Sequence, residues 1–272
     1  MSKNLLMVVA IIFVSLGVWY ASGNRFNAND AVMTPMPTNS QALSSGSTTP
    51  IIVESDVLYF PESKGYFVRP EVDGDYPGVV MIHENRGLRP EIRDTADNLA
   101  KEGYLVLAVD LYKGKVVETQ DEARAMSSSF DQETGIENLR AAVGYLKDRG
   151  ATKVASLGWC FGGRQSIALA ISGVPLDATV VYYGGNMASN VEELKPIKWP
   201  VLGVFGDQDQ VIPIDKIKEF ESSLNTLGIT NEIHIYPGVG HAFANPSGSN
   251  YAPDATRDAW DKTTSFLKKH LH

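Results

Sequence analysis

The sequence has a single cysteine, Cys160, in 272 residues, so it can build neither an intramolecular disulfide framework nor a cysteine-rich zinc site. Its five histidines include no HExxH pair and no histidine-rich tract, which leaves little basis for a metal enzyme. There is no excess of positive charge. Lysine and arginine number 24 against 32 aspartates and glutamates, a formal net charge of -8. Nucleic acid is therefore not expected as a partner, because phosphate binding needs a basic face. No internal repeat is visible. What is present is ordinary for a folded chain: 43% hydrophobic and 21% charged residues, enough for one large domain or two small ones.

Long hydrophobic runs are also scarce, and the extended case lies at the start. Leu5 to Tyr20 (LLMVVAIIFVSLGVWY) is sixteen residues without a charge, preceded only by Lys3. Spanning the hydrocarbon core takes about 20 apolar residues, with about 17 as the lower limit, whereas signal-peptide h-regions run to about 15. The segment falls between the two. Ala21-Ser22-Gly23 is a small-residue sequence that a signal peptidase could cut, and with no cysteine there a lipoprotein anchor is excluded. A buried core helix is the plain alternative, but the flanks are those of a targeting segment. The expectation is export, with residues 1–23 a signal peptide or an N-terminal anchor. Whether a membrane tether through residues 5–21 is retained stays open. Residues 24–50 are rich in Ser, Thr, Asn and Pro with no apolar period, which predicts a flexible linker. Removing residues 1–50 takes Lys3, Arg25 and Asp30 with it, so the remainder, 51–272, stays acidic.

From Ile51 onward, short apolar runs alternate with amphipathic stretches. Val57–Phe60 and Tyr66–Arg69 read as edge strands of a leading hairpin or meander. Gly78–His83 is a continuous apolar run, as expected of a strand buried on both faces. Glu91–Glu102 places Ile92, Ala96, Leu99 and Ala100 at helical spacing behind Pro90. Strand Tyr104–Asp110, helix Thr134–Arg149, strand Val154–Gly158, helix Gly163–Ser172 and strand Thr179–Tyr183 follow. Strand Val201–Phe205, helix Asp215–Leu227, strand Glu232–Tyr236 and helix Asp254–Lys269 complete the chain. Lys113–Asp131 reads as loop. This alternation predicts one α/β domain with a mainly parallel sheet and helices on both faces. Such sheets bind ligands at the C-terminal ends of their strands, so the residues just after each strand are where chemistry is sought.

Gly158-Trp159-Cys160-Phe161-Gly162-Gly163 lies between an apolar strand and a helix. G-x-C-x-G is the nucleophile-elbow pattern with sulfur in place of oxygen. On a sharp strand-to-helix turn, the residues two before and two after the nucleophile crowd each other, and glycine at both removes the clashing Cβ atoms. The helix that follows points its N-terminus at the site, which favours a thiolate and a developing oxyanion. The N–H of Phe161 is one candidate oxyanion donor. The alternative is a small buried cysteine beside a glycine turn. A dinucleotide fingerprint does not fit, because G-x-G-x-x-G is absent here.

An elbow nucleophile needs an acid and then a histidine further along the chain. Gly206-Asp207-Gln208-Asp209 follows one predicted strand, and Gly238-Val239-Gly240-His241 follows the next. His241 is the candidate base and later acid, and Asp209 the group that holds its tautomer. Asp207 competes for that place, but at the strand end it suits a turn. His234, His270 and His272 read as structural or surface residues. After the first buried strand comes His83-Glu84-Asn85-Arg86-Gly87, where a second oxyanion N–H is expected, that of Asn85. Glu84 is either part of the site or a surface charge paired with Arg86.

Taken together, these residues resemble the dienelactone hydrolase family of α/β-hydrolases over about residues 54–270. The resemblance rests on M-I-H-E-N-R-G-L, A-V-D-L-Y at Ala108–Tyr112, G-W-C-F-G-G, G-D-Q-D-Q-V-I-P and G-H-A-F, in that order. It implies an α/β-hydrolase fold and a Cys-His-Asp triad of Cys160, His241 and Asp209. It implies that Glu84 contacts the nucleophile and helps deprotonate it. It also implies hydrolysis of a small ester or enol-lactone through a thioester acyl-enzyme, with no metal and no cofactor. The best-studied members carry a serine just after the histidine and, four positions beyond the histidine, an arginine that grips a substrate carboxylate. Here those positions are Ala242 and Asn245. The expectation is an exported ester or lactone hydrolase with a small-molecule substrate, favoured as a monomer. The alternatives are a related thioesterase or peptidase-type hydrolase, or a catalytically inactive binding protein on the same fold.

Overall fold

The computed structural model describes residues 49–272, so the expected leader and all but the end of the expected linker lie outside the described residues. Two strands come first, β1 (Ile51–Phe60) and β2 (Ser63–Pro70). Then follow β3 (Gly78–Ile82), α1 (Pro90–Lys101), β4 (Leu105–Val109), α2 (Gln120–Ser128), α3 (Gln132–Asp148), β5 (Val154–Trp159) and α4 (Phe161–Ile171). The chain continues through β6 (Ala178–Tyr182), a four-residue α5 (Val191–Leu194), β7 (Val201–Gly206), α6 (Ile214–Thr226), β8 (Asn231–Tyr236) and α7 (Pro253–Leu271).

The strands form one sheet in the order β1-β2-β4-β3-β5-β6-β7-β8. β1 and β2 pair antiparallel, as do β2 and β4, and the remaining neighbours are parallel. β3 to β7 are buried at every position, which is why they read as unbroken apolar runs. The chain leaves β3 for β4 on one side and later returns past β3 to β5 on the other. With right-handed crossovers, α1 and α3 then cover opposite faces. The loops of adjacent β3 and β5 therefore diverge, which opens the crevice where α/β sheets hold ligands.

Register decides what meets there. Ile82 is level with Gly158, so Glu84 and Cys160 emerge at the same height. Trp159 is level with Tyr182, which brings Tyr183 beside Cys160. Gly206 is level with Tyr236, so the loops bearing Asp209 and His241 rise together.

Two expectations need correction. Tyr66–Arg69 is not an edge strand: β2 pairs on both sides, and Phe67 and Val68 are fully buried. Of these two leading strands only β1 is an edge, and it begins at Ile51. The segment 113–131 is not all loop, since α2 lies within it. Of the α2 residues only Ala123 is buried, so the helix has no apolar period to read. Its legible signal is the capping box, in which Thr119 and Glu122 satisfy each other's backbone N–H groups.

Candidate active site

Cys160 caps the N-terminus of α4 with φ of 54° and ψ of -113°, a conformation that costs a non-glycine residue about 1–3 kcal/mol. Its N–H is tied to the Tyr182 carbonyl at 3.0 Å. The glycines around it are required by contact. A Cβ on Gly158 would stand 2.1 Å from the Gly162 carbonyl oxygen, and one on Gly162 would stand 2.2 Å from that of Ile82. The turn is thus wedged between its own first helical turn and the end of β3.

His241 Nε2 lies 3.1 Å from Cys160 Sγ, and His241 Nδ1 lies 2.8 Å from Asp209 Oδ2. The other oxygen of Asp209 accepts the N–H groups of Val211 at 2.7 Å and Ile212 at 3.1 Å. That fixes the carboxylate's direction without a cation. Asp207 is engaged elsewhere: its Oδ1 accepts the Gly238 N–H at 2.7 Å and joins the β7 and β8 loops. Burial alone would lower the His241 pKa, but hydrogen bonds to Asp209 and Cys160 outweigh it and raise it to about 10. Both contacts favour the protonated imidazole.

Glu84 is not bonded to the thiol and makes no ion pair with Arg86 among the described residues. Its carboxyl accepts from the Asn245 side-chain amide, and the Tyr183 hydroxyl donates to it at 3.5 Å. Burial, the largest cause, raises its pKa to about 7 against the opposing effects of Asn245 and His241. The Tyr183 ring also packs edge-on against His241, with centroids 5.3 Å apart. Tyr183 therefore touches both Glu84 and His241. Sequence reasoning ended a strand on Tyr183 and passed it over, although its post-strand position was the signal.

Phe161 is the first residue of α4, so its N–H has no partner within the helix. Asn85 lies in the turn after β3, where the Glu84 carbonyl accepts the Gly87 N–H at 3.3 Å. His83 was missed as well. It is fully buried, its Nδ1 donates to the Glu84 carbonyl at 2.6 Å, and its Nε2 accepts the Leu111 N–H at 3.1 Å. Burial lowers its pKa and keeps it neutral, so it acts as a brace between the exits of β3 and β4. Asp110 tightens the second of those exits by accepting the N–H groups of Tyr112 and Gly114. Trp159 is buried against Tyr182, with ring centroids 5.6 Å apart. Among the described residues no group of His, Cys, Asp and Glu side chains has the arrangement to hold a metal ion.

A mostly parallel eight-stranded sheet, an elbow after its fifth strand, and an acid and a histidine after its seventh and eighth define an α/β-hydrolase. The family model for the dienelactone hydrolase family matches residues 63–271. The chain belongs to that family and is an ester or lactone hydrolase. A protein of Saccharolobus solfataricus named "Putative carboxymethylenebutenolidase" is 32% identical over 70% of this chain and 88% of its own. The carboxymethylenebutenolidase of Pseudomonas putida is 29% identical over 70% of this chain and 85% of its own. Among solved structures, that of a "Putative Dienelactone Hydrolase" from Klebsiella pneumoniae superposes with a TM-score of 0.73. It is 25% identical and covers 81% of this chain and 99% of its own.

Proposed function

We propose that the chain cleaves a small ester or lactone with Cys160 as nucleophile, His241 as proton carrier and Asp209 as the group that orients His241. The observation that carries this reading is the unbroken line of contacts Asp209–His241–Cys160, at 2.8 and 3.1 Å, from three separate post-strand loops. The sulfur, paired with the imidazolium, attacks the substrate carbonyl and forms a C–S bond. The resulting oxyanion lies between the N–H groups of Phe161 and Asn85. As the C–O bond breaks, His241 gives its proton to the leaving oxygen, and a thioester remains. His241 then takes a proton from water, whose oxygen attacks the thioester carbonyl. As the C–S bond breaks the acid departs, and the sulfur is left as it began, paired with the imidazolium of His241. Glu84 poises the thiol, its carboxyl held close to neutrality by burial. The named activity of the Pseudomonas putida relative supports a lactone among the substrates.

Replacing Cys160 with alanine is expected to abolish hydrolysis of 4-nitrophenyl acetate while leaving the unfolding transition in place. Turnover retained by that variant removes the nucleophile assignment. Comparing the ester with its anilide analogue separates an esterase from a peptidase, and only the ester is expected to turn over.

We also propose that residues 1–23 direct export, on the strength of the uncharged run Leu5–Tyr20 and the small residues after it.

A further inference from the structure

An oxyanion hole made of backbone depends on the direction of its peptide units. The Phe161 N–H is aimed by α4, because the first N–H groups of a helix run along its axis. Asn85 has no such support. It lies in a turn outside any helix or strand. A peptide in a turn can rotate and present its carbonyl to the site in place of its N–H.

Two donors hold the Glu84–Asn85 peptide against that rotation. The Glu84 carbonyl accepts from His83 Nδ1 at 2.6 Å and from the Gly87 N–H at 3.3 Å. The carbonyl and N–H of a trans peptide point in opposite directions. His83 is fully buried, so holding the carbonyl on its ring turns the Asn85 N–H away from the core and towards the crevice. Among the described residues that N–H makes no hydrogen bond, which leaves it for a substrate oxygen.

The surroundings of His83 allow its ring only this part. The Leu111 N–H donates to Nε2 at 3.1 Å, so Nε2 is the bare nitrogen. The single proton of the neutral ring is then on Nδ1, the atom facing the Glu84 carbonyl. Packing holds the ring plane. The Phe161 ring stacks on it at 6.0 Å with 17° between the planes, and the Tyr112 ring lies 4.9 Å away. Tyr112 and the Arg164 guanidinium in turn flank Phe161, at 5.2 and 5.4 Å. The backbone is equally confined. A Cβ on Gly162 would stand 2.6 Å from the His83 carbonyl oxygen, and the Val117 N–H ties the Arg86 carbonyl at 3.1 Å. One side chain thus touches both halves of the proposed hole, Phe161 through its ring and Asn85 through the carbonyl before it.

We propose that His83 is the positioning residue of the oxyanion hole: its Nδ1–H pins the Glu84 carbonyl and so aims the Asn85 N–H at the substrate oxygen as that oxygen takes up charge. His83 touches no substrate and transfers no proton. The proposal rests on Cys160 as nucleophile and Asn85 as second oxyanion donor, and adds what sets that donor's direction. Loss of the Nδ1 donor therefore slows the steps that build an oxyanion and spares reactions of the thiol that build none.

The test sets hydrolysis of 4-nitrophenyl acetate against alkylation by iodoacetamide, in which the sulfur displaces iodide from a saturated carbon. Deleting an oxyanion-hole donor costs about 10²–10³ in kcat, and His83→Leu, which frees the peptide without deleting it, is expected to lower kcat about 30-fold with KM within about twofold. Alkylation of Cys160 in that variant is expected to stay within about twofold of the intact protein. His83→Asn places an amide N–H group where Nδ1 stood and is expected to bring kcat back to within about threefold. Both variants leave the Leu111 N–H without its acceptor, so their unfolding midpoints in urea are expected to fall alike while their turnover differs. In the intact protein, ¹⁵N spectra are expected to show the His83 proton on Nδ1. Equal loss of turnover in the two variants, alkylation slowed in step with hydrolysis, kcat unchanged in His83→Leu, or the proton on Nε2 overturns the proposal. Failure of the nucleophile assignment reads differently, because the intact protein would then keep its turnover after alkylation of Cys160.

Discussion

At the scale of single residues, the titration of Glu84 is the sharpest handle. Its pKa is raised by burial from 4.5 to about 7, with Asn245, Tyr183 and His241 facing it on one side and Glu91 adding like charge. The sign of the stability effect follows. Between pH 4.5 and 7 the native state keeps a proton that the unfolded chain has lost, so stability falls as pH rises through that window, by up to about 3 kcal/mol. Glu84→Gln is expected to flatten that fall in urea titrations at pH 4.5 and 7.5. A parallel fall in the variant would show that another group is responsible. In turnover, kcat/KM for a neutral ester is expected to rise through about pH 7 as Glu84 ionises and to decline near pH 10 as His241 loses its proton. Glu84→Gln is expected to lose the rise near pH 7 and about 10²-fold in rate, while keeping the decline near pH 10. The candidate residues Cys160, Asp209, His241 and Glu84 were all visible in the sequence, because each sits in a short motif after an apolar run. Tyr183, His83 and Tyr112 were not singled out as functional. Their parts depend on which ring or carbonyl they meet, and sequence spacing carries no such information.

At the scale of elements, the strand–turn–helix around Cys160 carries the site. Its glycines are spatial requirements rather than loop filler, since Cβ atoms at Gly158 and Gly162 would meet backbone that cannot retreat. Gly162→Ala is therefore expected to cost about 3 kcal/mol or more and to lower ester turnover with it. Denaturant unfolding of the variant checks this, and a change below about 1 kcal/mol would mean that the turn relaxes. Tyr182, which lies between the elbow and α7, donates to the Ala259 carbonyl at 2.9 Å and meets Thr263 at 2.7 Å. Tyr182→Phe is expected to cost about 1–3 kcal/mol with little change in KM, because it loosens α7 and not the proposed triad. Strands β3 to β7 were legible as buried apolar runs, and α1, α3, α6 and α7 by their amphipathic period. Tyr66–Arg69 was misplaced because its pairing on both sides, with β1 and with β4, is a long-range contact that a four-residue run does not report. α2 escaped because a helix with one buried residue offers no apolar stripe.

At the scale of the whole molecule, the proposed export and the proposed chemistry belong to different stretches of sequence. Cell fractionation is expected to find the ester hydrolase outside the cytoplasm, and replacing residues 5–20 with a polar sequence is expected to retain it inside. Activity confined to the cytoplasm with the intact chain would end the export proposal. The sequence by itself determined the composition class, the α/β alternation, and the order of the candidate nucleophile, acid and histidine, because periodicity and local turn sterics act over a few residues. Only the tertiary structure decided that β2 is interior, that Glu84 answers to Asn245 rather than Arg86, and that Arg164 and Tyr112 share the Phe161 ring. Those outcomes depend on strand register and on side chains brought together from distant parts of the chain, and neither is encoded in any local window.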